Sequence, residues 1–373
     1  MNNEIIIINQ DSGYLMIDLA NAYNGAGYKV TLVAGRLVQR DKPLAENIHF
    51  KKIIRYNRTS TIKRLFTWSW GAIQILFLVW FQFRKKQLLL VSNPPFAPLL
   101  PLFFKNKFSL LIYDVYPDAL TEFGIFSTNS LVVKWWQKAN KKIFPKAERI
   151  ITLTPGMKSV VEKYAGNKPV EVIPIWTDNR FLQPVKKEKN RFIEKHNLAG
   201  KFIVMYSGNL GHSHDVEALV DLASIIDDKE IQFVIIGEGD KKEFIQKKIA
   251  AGALTNCLML PFQKPEVLPF SLAAADIAVV TLGKDASKLS VPSKTYNLMS
   301  VGATLLCIAG DDSELKHLVD YYKIGKCFRA EQPEEMKNFI LHVKQHPEQQ
   351  QTFSANAVKA SKDFGPENIQ KFL

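Results

Sequence analysis

Cysteine is scarce in this 373-residue chain, and the three present stand apart at Cys257, Cys307 and Cys327. An odd count without paired spacing argues against a disulfide framework and a cysteine-built zinc site, so three reduced, buried thiols are expected. Acidic residues are missing altogether between positions 51 and 100, where nine Lys and Arg occur. Residues 1–177 hold 24 Lys and Arg against 11 Asp and Glu, whereas residues 178–373 hold 25 of each. The net charge of +13 therefore belongs to the first half, and it suits an anionic surface, either nucleic acid or anionic lipid. A secretory leader is not legible either: Met1-Asn2-Asn3-Glu4 is acidic, and the run Ile5–Ile8 is too short for a leader's apolar core. A cytoplasmic location is expected.

What the sequence does have is alternation. Short apolar runs at Ile5–Ile8, Lys29–Val33, Leu88–Ser92, Leu110–Asp114, Arg149–Leu153 and Val170–Ile173 alternate with helix-like stretches such as Leu15–Asn24. A second set occurs at Phe202–Tyr206, Gln232–Ile236, Leu258–Leu260, Ile277–Val280 and Thr304–Ile308, with helices over Asp215–Ile226, Lys241–Ala251 and Lys294–Val301. Fully apolar strands alternating with helices are the pattern of parallel sheets covered on both faces. The fold class is α/β: two Rossmann-like doubly wound domains facing each other across a cleft, over 1–177 and 201–352, with polar residues 178–200 as linker.

One segment breaks the alternation. Ile62–Lys86 packs Trp68, Trp70, Phe77, Trp80 and Phe81 among Ile, Leu and Val, bracketed by Lys63-Arg64 and Arg84-Lys85-Lys86. A helix crossing a bilayer here would strand the preceding strands on the wrong side of the membrane. A helix lying in the interface, with Trp at headgroup depth and cationic ends, fits better, so an anionic membrane surface is expected as partner. A nucleic-acid site would use spaced aromatics in a polar groove, not one unbroken apolar helix, so no nucleic acid is expected.

Several loops carry polar residues suited to chemistry. Ser293 is placed to cap a helix starting at Lys294, giving free N–H groups and a full charge for a diphosphate. Gly208-Asn209-Leu210-Gly211-His212-Ser213-His214 lies between a strand and a helix, where glycines admit a phosphate to the backbone. Gly237-Glu238-Gly239 closes the next strand as a turn. In the first half, Asp114 ends a strand and Asp118 stands four residues on. A carboxylate at such a rim can orient an acceptor hydroxyl or take its proton, and Asp118 serves equally as a helix cap. Asn93, in Ser92-Asn93-Pro94-Pro95, is available for polar contacts.

These pieces in this order resemble glycosyltransferase family 4, in its branch of N-acetylfucosaminyltransferases of surface-polysaccharide assembly. The resemblance runs through Ser92-Asn93-Pro94-Pro95, Asp114-Val115-Tyr116-Pro117-Asp118, Val172-Ile173-Pro174-Ile175-Trp176-Thr177-Asp178 and Gly208-Asn209-Leu210-Gly211. It continues through Gly237-Glu238-Gly239, Ala275-Asp276 and Val291-Pro292-Ser293-Lys294. It implies a GT-B fold, retaining transfer, no cofactor and no metal, and residues 353–373 as a final helix returning to the first domain. The implied donor is a nucleotide sugar, UDP-linked rather than GDP-linked, held by Gly13, Gly208, Asn209, His212, Phe262, Ser293, Lys294 and Asn297, with the base near Leu260–Gln263. The implied acceptor is a glycan on polyprenyl diphosphate at the inner membrane face, met by catalytic Asp114 with Asn93, Tyr116 and Asp118.

The sequence also departs from the family. Its usual glutamate pair falls on Leu289 and Asn297, the Arg and Lys of its phosphate loop are absent, and its glycine-rich first loop keeps only Gly13. A UDP-sugar epimerase of the same architecture stands as an alternative, as does a non-enzymatic nucleic-acid-binding protein.

Overall fold

A computed structural model describes residues 3–38, 42–57, 59–122, 124–211, 215–283 and 289–373. The chain forms two compact units, Met1–Ile175 with Glu367–Leu373, and Trp176–Pro366. The first unit runs β1 (Glu4–Ile8), β2 (Asp11–Ser12), α1 (Tyr14–Gly25), β3 (Lys29–Ala34), β4 (Arg36–Leu37), β5 (His49–Lys52) and α2 (Thr61–Phe81). It continues with β6 (Gln87–Val91), β7 (Phe108–Ile112), α3 (Asp118–Glu122), α4 (Leu131–Ile143), β8 (Ile150–Thr152), α5 (Pro155–Ala165) and β9 (Val170–Val172). Seven strands form one parallel sheet in the order β5-β3-β1-β6-β7-β8-β9, and β2 pairs separately with β4. Ile5–Ile8, Leu88–Val91 and Leu110–Ile112 are all but fully buried, as a sheet covered on both faces requires. The strand order reverses between β1 and β6, which puts the loops after these strands at the unit's switch point.

Helix α2 lies along this unit. Ser60 caps it, accepting from Lys63 N at 3.2 Å. Thr67, Gly71, Ala72, Ile75 and Val79 form its buried face, at near fourfold spacing. Gly71 makes the approach possible, since a Cβ there would collide with Gln10 Nε2. That same nitrogen donates to Thr67 O at 2.7 Å and to Ile54 O at 3.2 Å. Among the described residues α2 is the one helix long and apolar enough to cross a membrane. Yet β1, β3 and β5 before it pair in one sheet with β6 after it, which is incompatible with a span. Its outward face carries Ile62, Leu65, Phe66, Trp70, Ile73, Phe77, Trp80 and Phe81, all exposed. Two residues of the expected interfacial set are placed otherwise. Trp68 turns inward and stacks on Tyr56, ring centroids 5.4 Å apart, and Lys86 is ion-paired with Glu4.

The second unit runs α6 (Arg191–Lys195), β10 (Phe202–Ser207), α7 (Glu217–Ile225), β11 (Ile231–Ile236), α8 (Lys242–Ala251), β12 (Cys257–Leu260) and α9 (Leu268–Leu272). It ends with β13 (Ile277–Thr281), α10 (Lys294–Ser300), β14 (Thr304–Ile308), α11 (Glu314–Tyr322), β15 (Gly325–Phe328), α12 (Pro333–Gln345) and α13 (Pro347–Ser361). Its parallel sheet has the order β12-β11-β10-β13-β14-β15, reversing between β10 and β13. Tyr206, Phe233, Ile235, Val279 and Leu306 lie at the centre of its larger core.

Three sequence expectations change here. Residues 178–200 are not a free linker: Phe192, Ile193 and Leu198 pack with Ile203, Met205, Val234 and Ile236 in a second core. Composition hid this, because these apolar residues sit among Lys and Glu. Asp276, expected as part of a motif, is structural. Its carboxylate accepts from Ile203 N at 2.7 Å and Gln350 Nε2 at 2.9 Å, and pairs with Lys187. Finally, 353–373 is not one returning helix. Helix α13 packs against the end of α10, where Gly302 (φ 73°) leaves room for Ser354 and Val358.

Only Glu367–Leu373 joins the first unit. There Tyr23 donates to Phe372 O at 2.8 Å, and Arg149 donates to Phe372 O and Lys371 O while forking onto Glu171. Phe372 is buried. Phe372→Ala is therefore expected to destabilise the first unit by about 3 kcal/mol through the cavity it leaves. Urea unfolding followed through the first unit's tryptophans measures this, and an unchanged midpoint would show that the segment is merely laid on.

Candidate functional site

The second unit's switch point is built by glycines on two adjoining loops. After β10, Gly208 N donates to Ile236 O at 2.9 Å and Leu210 N to Glu238 O at 2.8 Å. A Cβ at Gly237 would strike Gly208 O, and one at Gly239 (φ 150°) would strike the Leu210 backbone. Gly237 and Gly239, read from sequence as turn residues, are thus what lets the two loops close on each other. Tyr206 fixes the turn from below, its hydroxyl donating to Asn209 O at 2.7 Å. This leaves the Asn209 side chain exposed.

Lys294 reaches under this turn. A Cβ at Gly208 would collide with its Nζ, which lies 3.8 Å from the centroid of the Tyr206 ring. The Nζ is buried and has no hydrogen-bond partner among the described residues. Contact with an aromatic face contributes about 2 kcal/mol or more to a desolvated ammonium. Loss of hydration outweighs it, and burial pulls the Lys294 pKa down to about 7. A buried amine with no anion beside it among the described residues, next to a glycine turn, is in surroundings that an oxyanion would satisfy.

The remaining donor candidates are more scattered. Ser293 precedes α10, but its dihedrals are helical and its hydroxyl makes no capping bond, so α10 lacks the side-chain cap expected of it. Asn297 is engaged with the Thr177 hydroxyl. Phe262 is exposed just beyond the edge strand β12, with Gln263 beside it donating to Pro261 O. His212 and His214 lie outside the described residues. Gly13 belongs to the first unit, at the start of α1, with open space where a Cβ would stand.

In the first unit, Ser92 organises the turn after β7: its hydroxyl accepts from Tyr113 N at 2.9 Å and Asp114 N at 3.1 Å. Asn93 O accepts from Gln10 N at 2.7 Å, tying the loops after β1 and β6. Asp114 reaches solvent, but enough protein surrounds it that desolvation raises its carboxyl pKa. That shift favours a group able to take and return a proton. Tyr116 lies beside it, its ring stacked on Trp136 at 6.0 Å and edge-on to Trp68 at 6.5 Å, while Asn140 Nδ2 donates to its carbonyl. Asp118 differs from expectation. Tyr164 donates to its carboxylate at 2.6 Å, which makes it a packing contact between α3 and α5. Gln10, Ser92 and Tyr206 were not singled out from sequence, because the partners that define them lie far along the chain. Among the described residues no cluster of three His, Cys, Asp or Glu is placed to hold a metal.

Comparison with known proteins agrees with the fold. Residues 187–360 match the family model described as glycosyl transferases group 1. The chain is 26% identical over 232 residues to the probable glycosyltransferase WbjE of Pseudomonas aeruginosa, covering 61% of this chain and 57% of that one. It is 26% identical over 192 residues to the putative colanic acid biosynthesis glycosyl transferase WcaI of Escherichia coli, covering 51% and 46%. The chain thus spans about half the length of the curated relatives it matches. Among solved structures, Anabaena Alr3699/HepE in complex with UDP superposes with a TM-score of 0.74 at 14% identity, over 99% of this chain and 98% of that one. The fold is GT-B, and the match to glycosyl transferases group 1 falls within the second unit.

The buried amine has a measurable signature. A free lysine titrates near 10.4, so between pH 7 and 10 the unfolded chain binds a proton that folded Lys294 lacks. Stability then rises with pH across that window. Lys294→Met is expected to remove this rise and to leave the second unit more stable than wild type at pH 7. Parallel urea-midpoint profiles for the two proteins from pH 7 to 9.5 would show Lys294 to be solvated.

Proposed function

We propose that the chain is a retaining glycosyltransferase that moves a sugar, N-acetylated in the branch it resembles, from a UDP-sugar to a glycan on polyprenyl diphosphate, in surface-polysaccharide synthesis. The observation that carries this reading is the unpartnered, buried Lys294 Nζ against Gly208. A nucleoside diphosphate at the second unit's switch point would supply the anion this amine lacks, and would draw its pKa back upward. As the glycosidic bond to the diphosphate breaks, Lys294 would stabilise the charge that develops, and the glycine turn would let the diphosphate approach closely. No metal is required for that task. The uridine would lie toward Phe262. Asp114, with its raised pKa, would orient or deprotonate the acceptor hydroxyl from the first unit, supported by Asn93 and Tyr116. UDP bound to HepE and the polysaccharide role in the name of WcaI both favour this reading.

The acceptor's lipid would keep the enzyme at the cytoplasmic face of the membrane. The exposed face of α2, flanked by Lys63, Arg84 and Lys85, fits an anionic leaflet: aromatic residues enter the headgroup boundary while each nearby cation adds on the order of 1 kcal/mol.

Two experiments test the proposal. In the first, a panel of UDP-sugars is screened for thermal protection and turnover. Lys294→Met is expected to lose about 100-fold or more in turnover, and Asp114→Asn to lose transfer while keeping UDP protection. Protection by no UDP-sugar, or full turnover without Lys294, would remove the donor site. In the second, flotation with anionic liposomes, Phe77→Glu/Phe81→Glu should bind at least tenfold more weakly than wild type. Wild-type binding should weaken with salt but persist, because salt screens charge and not burial. Equal flotation of both proteins would free α2 from the membrane.

A further inference from the structure

The first unit also holds a cation without a partner among the described residues. Arg64, in the first turns of α2, has a buried Nε and no hydrogen-bond or ion-pair partner among the described residues. Its guanidinium carbon stands 6.0 Å from the Trp68 ring centroid, and the Trp68 indole N–H is likewise buried and unpartnered. The Trp68 ring lies nearly parallel to Tyr56, at an interplanar angle of 9°, and edge-on to Tyr116. Tyr116, which neighbours Asp114 in sequence, feels the charges of both Asp114 and Arg64.

Tyr56 also lines a cavity of about 400 Å³ with Asp11, Arg36, Arg55, Asn57 and Thr59. Arg36 is neutralised there by a forked pair with Asp11, at 2.5 and 2.8 Å. Arg55 is exposed and has no carboxylate partner among the described residues. Arg64 therefore stands against one member of the aromatic pair and Arg55 lines a cavity with the other, and the Arg64 Nε and Trp68 Nε1 donors are buried and unused among the described residues. A desolvated donor without an acceptor costs free energy in the unliganded protein, and an oxyanion offering several lone pairs satisfies it best. The outer face of the same helix is apolar and exposed at Ile62, Leu65 and Phe66, within one turn of Arg64. An anionic head beside an apolar surface calls for an amphiphile.

We infer that Arg64, with Arg55 and the Tyr56–Trp68 stack, forms a subsite for the diphosphate of the lipid-linked acceptor, setting the acceptor's first sugars beside Tyr116 and Asp114. This rests on the acceptor reading above and extends it to residues that the family resemblance does not touch. A fork onto a phosphate makes two charge-assisted hydrogen bonds, which corresponds to about tenfold or more in binding.

The test uses the whole protein and three kinds of phosphatidylcholine vesicle: plain, carrying phosphatidylglycerol, and carrying undecaprenyl diphosphate at matched charge. Wild type should bind the diphosphate vesicles at least tenfold more tightly than the phosphatidylglycerol ones. Arg64→Gln should abolish that excess while changing phosphatidylglycerol binding no more than twofold. Arg55→Gln, at an exposed position the fold does not need, should reduce the excess severalfold. An equal loss on both charged vesicles would make Arg64 a general headgroup contact and overturn the subsite, as would an excess untouched by either substitution. UDP-sugar protection, measured in parallel, reports separately on the donor reading: its absence would sink that reading without altering the vesicle ratios.

Discussion

Much of the first unit hangs on the approach of Gly71 to Gln10. Without a side chain at Gly71, α2 can settle onto the loop after β1, and the Gln10 amide then holds Thr67 and Ile54 together. Through its backbone N–H the same residue donates to Asn93 O. One glutamine thus joins the loops after β1 and β6 to the helix that carries Arg64 and Trp68. It also fixes which face of an otherwise apolar helix is spent on the core, and so which face is left for the outside.

The second unit solves its problem in a complementary way, with backbone pressed on backbone. Gly208, Gly237 and Gly239 allow two loops to touch, and Tyr206 then serves both as floor to the turn and as wall to Lys294. The arrangement holds an amine in surroundings that favour its neutral form. That is a poor design for stability and a useful one for receiving charge, the usual mark of a site shaped by something other than folding.

Most of this fold was legible because parallel strands buried on both faces must be continuously apolar; Ile5–Ile8 and Ile277–Val280 could be little else. Strand β5, His49-Phe50-Lys51-Lys52, escaped notice because an edge position lets it be polar, and Gly325–Phe328 because four residues carry too little pattern. Within the site, Gly208 and Asp114 are legible by their place after strands, Lys294 by its place at a helix start, and Tyr116 only through the family resemblance. Ser293 misled because composition favours a cap that the dihedrals do not form. Trp68 misled because periodicity within an all-apolar helix does not say which face turns inward. Arg64 is legible only as one of the cations that bracket the apolar helix, and Arg55 only as part of a charge excess. That Lys86 is paired depends on Glu4, which no local window contains.

The segment around Phe372 has a consequence for how the protein is made. Tyr23 and Arg149 take their carbonyl partners from residues 371 and 372, separated from them by the entire second unit. During synthesis the first unit emerges early but must wait, with that pocket unfilled, while some two hundred further residues are translated. Over that interval its apolar helix is already outside the ribosome, so a nascent chain has both the time and the surface to meet a membrane or a chaperone before its first unit is complete.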